Sequence, residues 1–157
     1  MDRSGGGRYG KEKYPYVLEF RDIGAAKPVN RIFFPAWQLN YANTDGTVSE
    51  KLNGFYVGLA EGGCGTIITG CAVVSPDTVA FDRVMRIDND RFIPRLKRLF
   101  GEIERRGSVP AIQLIHYGRQ ALSAVTGSEL LAPSAIPCPV MNPEVYCIVN
   151  PDYRKNN

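Results

Sequence analysis

"VPAIQLIHYGRQA", Val109 to Ala121, begins as an apolar strand and changes character halfway along. Val109, Ala111, Ile112, Leu114 and Ile115 are apolar, but Gln113 sits among them, and the chain's one histidine, His116, follows with Tyr117, Gly118 and Arg119. A continuous apolar run of this length predicts a strand buried on both faces. Taken by itself, Gln113 fits either a core amide bonded to backbone or a ligand contact at the strand's carboxyl end.

Upstream, the same strand type recurs. "RIFFPAW", Arg31 to Trp37, is aromatic and compact and is ended by Pro35, and "CGTIITG", Cys64 to Gly70, is rich in β-branched residues. Between them, Thr47 and Glu50 in "TVSE" predict a capping box. Leu52, Phe55, Tyr56 and Leu59 then form one apolar helical stripe that Gly62 and Gly63 stop. A second helix is expected from Asp90 as N-cap, with Ile93, Leu96, Phe100 and Ile103 buried, Pro94 in its first turn and Gly107 at its end. "YPYVLEF" before the first strand reads as a short β-like run, with turn residues around Gly24 and Pro28.

Strand, helix, strand, helix, strand is the order of a parallel sheet covered by helices. Each strand leads into a long polar loop, whereas the returns from helix to strand are short. That asymmetry places ligand chemistry at the carboxyl ends, as in (β/α)8 barrels and in open doubly wound sheets. No G-x-G-x-x-G follows the first strand, and the glycines of "EGGCGTIITG" precede a strand where a phosphate loop would open a helix.

Composition narrows the function class. The 157 residues suffice for one domain, with 44% hydrophobic and 22% charged residues and a net charge of +3. The basic run "RLKRLF" with the nearby "ERR" falls on the second helix and reads as a solvated face, so no nucleic-acid partner is expected. Cys64, Cys71, Cys138 and Cys147 form no C-x-x-C pair, and with one histidine a metal site is not expected. No apolar run is long enough to span a bilayer, so no membrane partner is expected and free thiols in a cytoplasmic protein are the reading.

"NRIFFPAW", "DGTVSEKLNGFY", "AEGGCGTIITG", "AIQLIHYGRQ" and "LLAPSAIPCPV" occur in that order, from about Tyr14 to Tyr153. Together they resemble the amino-terminal part of the NADH:flavin oxidoreductase (Old Yellow Enzyme) family. The resemblance implies the amino-terminal portion of a (β/α)8 TIM barrel: three barrel strands with two helices, the barrel not closed. It implies FMN over the carboxyl ends of the strands and NADH or NADPH as electron donor. It also implies a small-molecule alkene, enone or dienoyl thioester as substrate.

Carried over position by position, the resemblance sets Gln113 against the flavin's pyrimidine edge. There one carboxamide complements both the acceptors and the N–H donor of the ring and helps tune the cofactor. Pro35, Ala36 and Trp37 match the end of the first strand beside the isoalloxazine, in an order that departs from the Ala-Pro-Met frequent in the family. Cys71 matches a small residue whose main chain lies near flavin O4 and N5, and Gly70 stands where many members have Glu. His116 and Arg119 match the motif Q-L-x-H-x-G-R; His116 is a candidate site residue with no proton-transfer role assigned. Trp37 and Tyr117 fit a flavin wall or the core equally.

Three segments are expected: a flexible leader over 1–13, a partial FMN-binding barrel over 14–122, and an extended proline-rich loop over 123–157 containing Pro133, Pro137, Pro139, Pro143 and Pro151. A complete barrel needs eight strands and about 250 residues, and three strands leave two unpaired edges. The expectation is a piece of a longer enzyme, with self-association or a complementing chain as possible partner. The alternative is a non-catalytic truncated remnant or interaction module.

Overall fold

The computed structural model describes residues 13–127, 130–132 and 136–139. The expected leader, apart from Lys13, and most of the proline-rich loop lie outside the described residues.

The central element is β2, Thr66–Val73, which pairs in parallel with strands on both sides. On one side β1, Phe33–Phe34, aligns Phe33 with Thr66 and Phe34 with Ile67. Further along the same edge a two-residue strand, β3 (Met85–Arg86), aligns with Ala72 and Val73. On the other side β4, Val109–Ile115, pairs from Thr66↔Val109 to Val73↔Ile115, with one shift of register between Thr69 and Ala72. The three expected barrel strands are therefore adjacent in the order β1-β2-β4. Two helices connect them: α1, Glu50–Glu61, and α2, Ile93–Arg105.

One core joins the helices to the sheet. Leu52, Tyr56 and Ala60 of α1 and Leu96, Leu99 and Ile103 of α2 pack with Ile67 and Ala72 of β2, and Ile112 of β4 rests partly buried against them. Phe34, Phe55 and Tyr56 make edge-to-face contacts at centroid separations of 5.4–6.4 Å, the geometry aromatic quadrupoles favour. On the solvent side of the helices, Arg98 pairs with Glu50 and Glu102, and Arg106 with Glu61. The basic run of α2 is thus an ion-paired, solvated face.

The structure corrects several sequence expectations. "YPYVLEF" forms turns, including Leu18 N–H to the Tyr14 carbonyl at 3.4 Å, consistent with Pro15 interrupting any ladder. Of Arg31–Trp37, only Phe33–Phe34 is strand, because Pro35 has no N–H to extend the pairing. The second strand starts at Thr66 and continues through Gly70 to Val73, since Gly70 is taken up in a bulge. The first helix is capped by Ser49, whose hydroxyl accepts from Leu52 N–H at 3.0 Å, and not by Thr47. Asp45 engages both the Thr47 N–H and its hydroxyl, at 2.9 and 2.7 Å, which turns that residue away from the cap.

Asn89 caps a 3₁₀ turn at Asp90–Phe92, so the α-helical stripe begins later than expected. Ile93 is half exposed, and Leu99 lies fully buried beside Leu96 and Ile103. The polar loop after the second strand contains β3 and a 3₁₀ turn, Pro76–Thr78, and the expected extended segment from 123 begins with one helical turn, α3, Ser123–Thr126.

The strand of the opening stretch is also less buried than its composition predicts. Val109–Ala111, Ile112 and Ile115 are half-buried, while Gln113 and Leu114 are exposed, Leu114 at 57%. The reason is position: β4's second edge has no strand partner among the described residues.

Candidate functional site

The site is built around an irregularity in β2. Thr69 pairs with Ile112 and Ala72 with Leu114, so Gly70 and Cys71 together stand opposite the single residue Gln113. Two residues against one is a β-bulge, a device that re-aims side chains. Its effect is visible in the packing. Ile67 and Ala72 are five positions apart and would fall on opposite faces of a regular strand. Both instead enter the same helix-side core. The extra residue shifts the alternation, and the Gly70–Cys71 backbone is set out of the ladder beside Gln113.

Three strands converge there. Cys71 Sγ lies 3.2 Å from Gln113 Oε1. A Cβ on Gly70 would stand 2.7 Å from the Ala36 Cβ and 3.4 Å from Gln113 Oε1. Side-chain absence at position 70 is therefore what lets the end of β1, the bulge of β2 and the amide of β4 meet. Gln113 is exposed, and its Nε2 has no hydrogen-bond partner among the described residues. The core-amide reading of Gln113 does not hold, because neither end of its carboxamide is bonded to backbone among those residues.

The bulge is held from below by Tyr56. This ring is fully buried, and its hydroxyl accepts from Gly70 N–H at 3.1 Å and reaches the Gly70 carbonyl at 3.3 Å. Burial pushes the phenol pKa up, so the hydroxyl keeps the proton it donates. Burial also raises the Cys71 thiol, which is consequently a neutral, small group and no activated nucleophile.

The loops at the carboxyl ends are tied to one another. Ala42 N–H donates to the Arg83 carbonyl at 3.0 Å and Arg86 N–H to the Gly46 carbonyl at 3.0 Å, joining the loops after β1 and β2. Gly46, with φ +83°, is pressed against the Arg86 stem, and Arg86 makes a two-pronged bond to Asp88, both at 2.7 Å. That guanidinium holds the Asp88 carboxyl below its usual range. Tyr117, buried after β4, donates its hydroxyl to Gln38 Oε1 in the loop after β1.

Of the expected site residues, Ala36, Cys71 and Gln113 are brought together. Pro35 is exposed, and Trp37 stands 65% exposed. His116 is exposed and turned onto its own loop, its Nδ1 accepting from Gly118 N–H at 3.1 Å, so Nε2 carries any proton of the neutral ring. Arg119 is exposed on the same turn. Tyr117 belongs to a second core with Val73, Ala80, Val84, Ala121 and Leu130. Tyr56, read from sequence as one more apolar stripe residue, is the residue that sequence reasoning missed. Its signal was a hydroxyl on a buried face that required a partner. A separate hollow of about 590 Å³, bounded by Glu19, Phe20, Arg21 and Asp22, contains none of the expected residues.

Comparison with known proteins decides the family. Residues 21–148 match the NADH:flavin oxidoreductase / NADH oxidase family. The chain belongs to this family.

A metal reductase of Desulforamulus reducens is 37% identical over 115 residues, 73% of this chain and 17% of that protein. An NADH oxidase of Thermoanaerobacter brockii is 33% identical over 127 residues, 80% of this chain and 20% of that protein. Among solved structures, the Old Yellow Enzyme of a Pichia species superposes with a TM-score of 0.71 at 26% identity, over 77% of this chain and 32% of the other. The chain thus spans about a fifth of the length of those two relatives and a third of that structure. Among the described residues the four-stranded sheet does not close, and it is one part of the family's barrel. No group of three or more potential metal ligands occurs among the described residues, and none of their helices is long and apolar enough to cross a membrane.

Proposed function

We propose that the chain is the amino-terminal part of an FMN-dependent oxidoreductase that uses NADH or NADPH to reduce an activated alkene, an enone or a dienoyl thioester. The observation that carries this reading is Gln113: an exposed carboxamide near the carboxyl end of a parallel strand, level with a backbone shelf at Gly70–Cys71 and Ala36. An amide with an unengaged Nε2 and an oxygen held only by a weak thiol donor fits the pyrimidine edge of FMN, which presents acceptors flanking one N–H. The missing side chain of Gly70 lets Ala36 and Gln113 close on the bulge, so that the three strands present one surface to a flat ring.

When bound, FMN supplies the hydride chemistry. The residues of this chain orient and shield. Gln113 would hold the pyrimidine edge, Ala36 and the Cys71 main chain would bear on the ring system, and the loops after β1, β2 and β4 are tied to one another beside them. Pro35 and Trp37 flank Ala36 in sequence and are exposed, and His116 and Arg119 lie on the loop that follows the Gln113 strand. The unbridged thiols of Cys64 and Cys71 fit a cytoplasmic setting.

A titration of the purified chain with FMN, followed by flavin absorbance and fluorescence, tests the reading. A saturable shift is expected, and Gln113→Ala weakens it about tenfold, the loss of one to two hydrogen bonds. A second reading, a non-catalytic remnant that binds another copy or a complementing chain, is favoured by the exposure of Leu114 and by a β4 edge without a strand partner among the described residues. Absence of any shift, together with association that grows with concentration, would replace the first reading with the second.

A further inference from the structure

Tyr56 reaches the bulge through two polar contacts, both to the Gly70 backbone. One hydroxyl serves as acceptor for Gly70 N–H at 3.1 Å and as donor to Gly70 C=O at 3.3 Å. The ring itself is fixed: it is 0% exposed and wedged between Phe34 and Phe55 at centroid distances of 6.4 and 5.4 Å. An aromatic side chain so confined has no freedom to follow the backbone it holds, so the backbone follows the ring.

Gly70 requires such a clamp. As a bulge residue it has no place in the β2–β4 register, and as glycine it has no side chain to lock it by packing. Left to itself, the peptide next to Cys71 would sample orientations that move the Cys71 main chain relative to Gln113. Because helix α1 carries Tyr56, the position of the bulge is referred to the helix layer and not to either neighbouring strand.

We propose that Tyr56 is a positioning residue for the flavin site: its hydroxyl sets the Gly70–Cys71 backbone at the height where it meets the ring held by Gln113. The inference rests on the flavin reading above. Tyr56 touches no cofactor and acts only through Gly70, and its neutral, raised-pKa phenol is the form that donates and accepts at once.

The test is Tyr56→Phe, which keeps the ring and its aromatic contacts and removes only the oxygen. Two readouts are taken on the full chain. Amide hydrogen exchange at Gly70, measured without flavin, is expected to accelerate about tenfold or more, while amides of Ile67 and Ile112 keep their protection relative to global stability. FMN titration is expected to give a Kd raised about tenfold, with a bound-flavin absorption band displaced toward that of free FMN. Leu99→Ala serves as a variant destabilised away from the site, and its FMN Kd stays within a factor of two of the wild type. Unchanged Gly70 exchange, or a Tyr56→Phe chain that binds FMN with wild-type affinity and spectrum, overturns the inference while the flavin reading stands. A wild-type chain that shows no FMN shift overturns the flavin reading, and the positioning role with it.

Discussion

Alanine at position 70 is expected to destabilise the chain by about 1–3 kcal/mol, the usual cost of overpacking, and to remove saturable FMN binding. The methyl group would lie 2.7 Å from the Ala36 Cβ and 3.2 Å from its Cα, with Gln113 Oε1 at 3.4 Å on its other side. The Ala36 side of this crowd is a Cβ and backbone, which have no rotamer to yield, so the strain goes into separating β1 from the bulge. That separation opens the shelf on which the flavin reading depends. Urea unfolding measures the first effect and the FMN titration the second. The clash is specific enough to be reversed: Gly70→Ala combined with Ala36→Gly relieves the shortest contact. The double variant is therefore expected to recover at least half of the lost stability, a non-additivity that a double-mutant cycle reads directly. Additive losses would mean that the two positions do not meet.

Leu99→Ala is expected to cost about 2–5 kcal/mol, the range for deleting a buried leucine. Leu99 is 0% exposed at the centre of the cluster that joins α1, α2 and β2. Against a typical total stability of about 5–15 kcal/mol, the loss is a large fraction. The measurement is again the urea midpoint, with the slope unchanged if the transition remains two-state. The contrast with Gly70→Ala is informative. The leucine variant is less stable yet binds FMN normally while folded, whereas the glycine variant loses the site.

These two residues also mark where the sequence was readable and where it was not. The strand–helix–strand–helix–strand order follows from apolar periodicity, and β1, β2 and β4 are adjacent as a parallel α/β barrel segment requires. Gln113 stood out because an amide interrupts an apolar run, and it does sit beside Cys71 and, through Gly70, Ala36. The spacings 93, 96, 100, 103 and 92, 96, 99, 103 are both helical, and the packing selects the second, with Phe92 and Leu99 buried and Ile93 half exposed. Gly70 read as the end of a strand, since a glycine that stops a ladder and a glycine that forms a bulge look alike in one dimension.

Tyr56 is the instructive case. Its spacing with Leu52, Phe55 and Leu59 correctly placed the ring in the core, but periodicity carries no information about where a hydroxyl finds its partner. The partner is a backbone group 14 residues away, on another element. Likewise, Ser49 and Thr47 are both good caps by residue type, and only the capture of Thr47 by Asp45 decides between them. The exposure of Leu114 has a different origin. The sequence of β4 is that of a strand covered on both sides, and the described chain supplies cover on one.

The central claim, that the bulge of β2, the end of β1 and the amide of β4 form one flavin-binding surface, is tested most directly by mapping where FMN lands. Two-dimensional amide NMR of the isotope-labelled chain during an FMN titration does this residue by residue. The account predicts that the largest saturable shifts fall on the backbone amides of Ala36, Gly70 and Cys71 and on the Gln113 side-chain NH₂. Shifts centred on the Glu19–Asp22 hollow, or a titration that leaves the Gln113 amide unmoved, would contradict it.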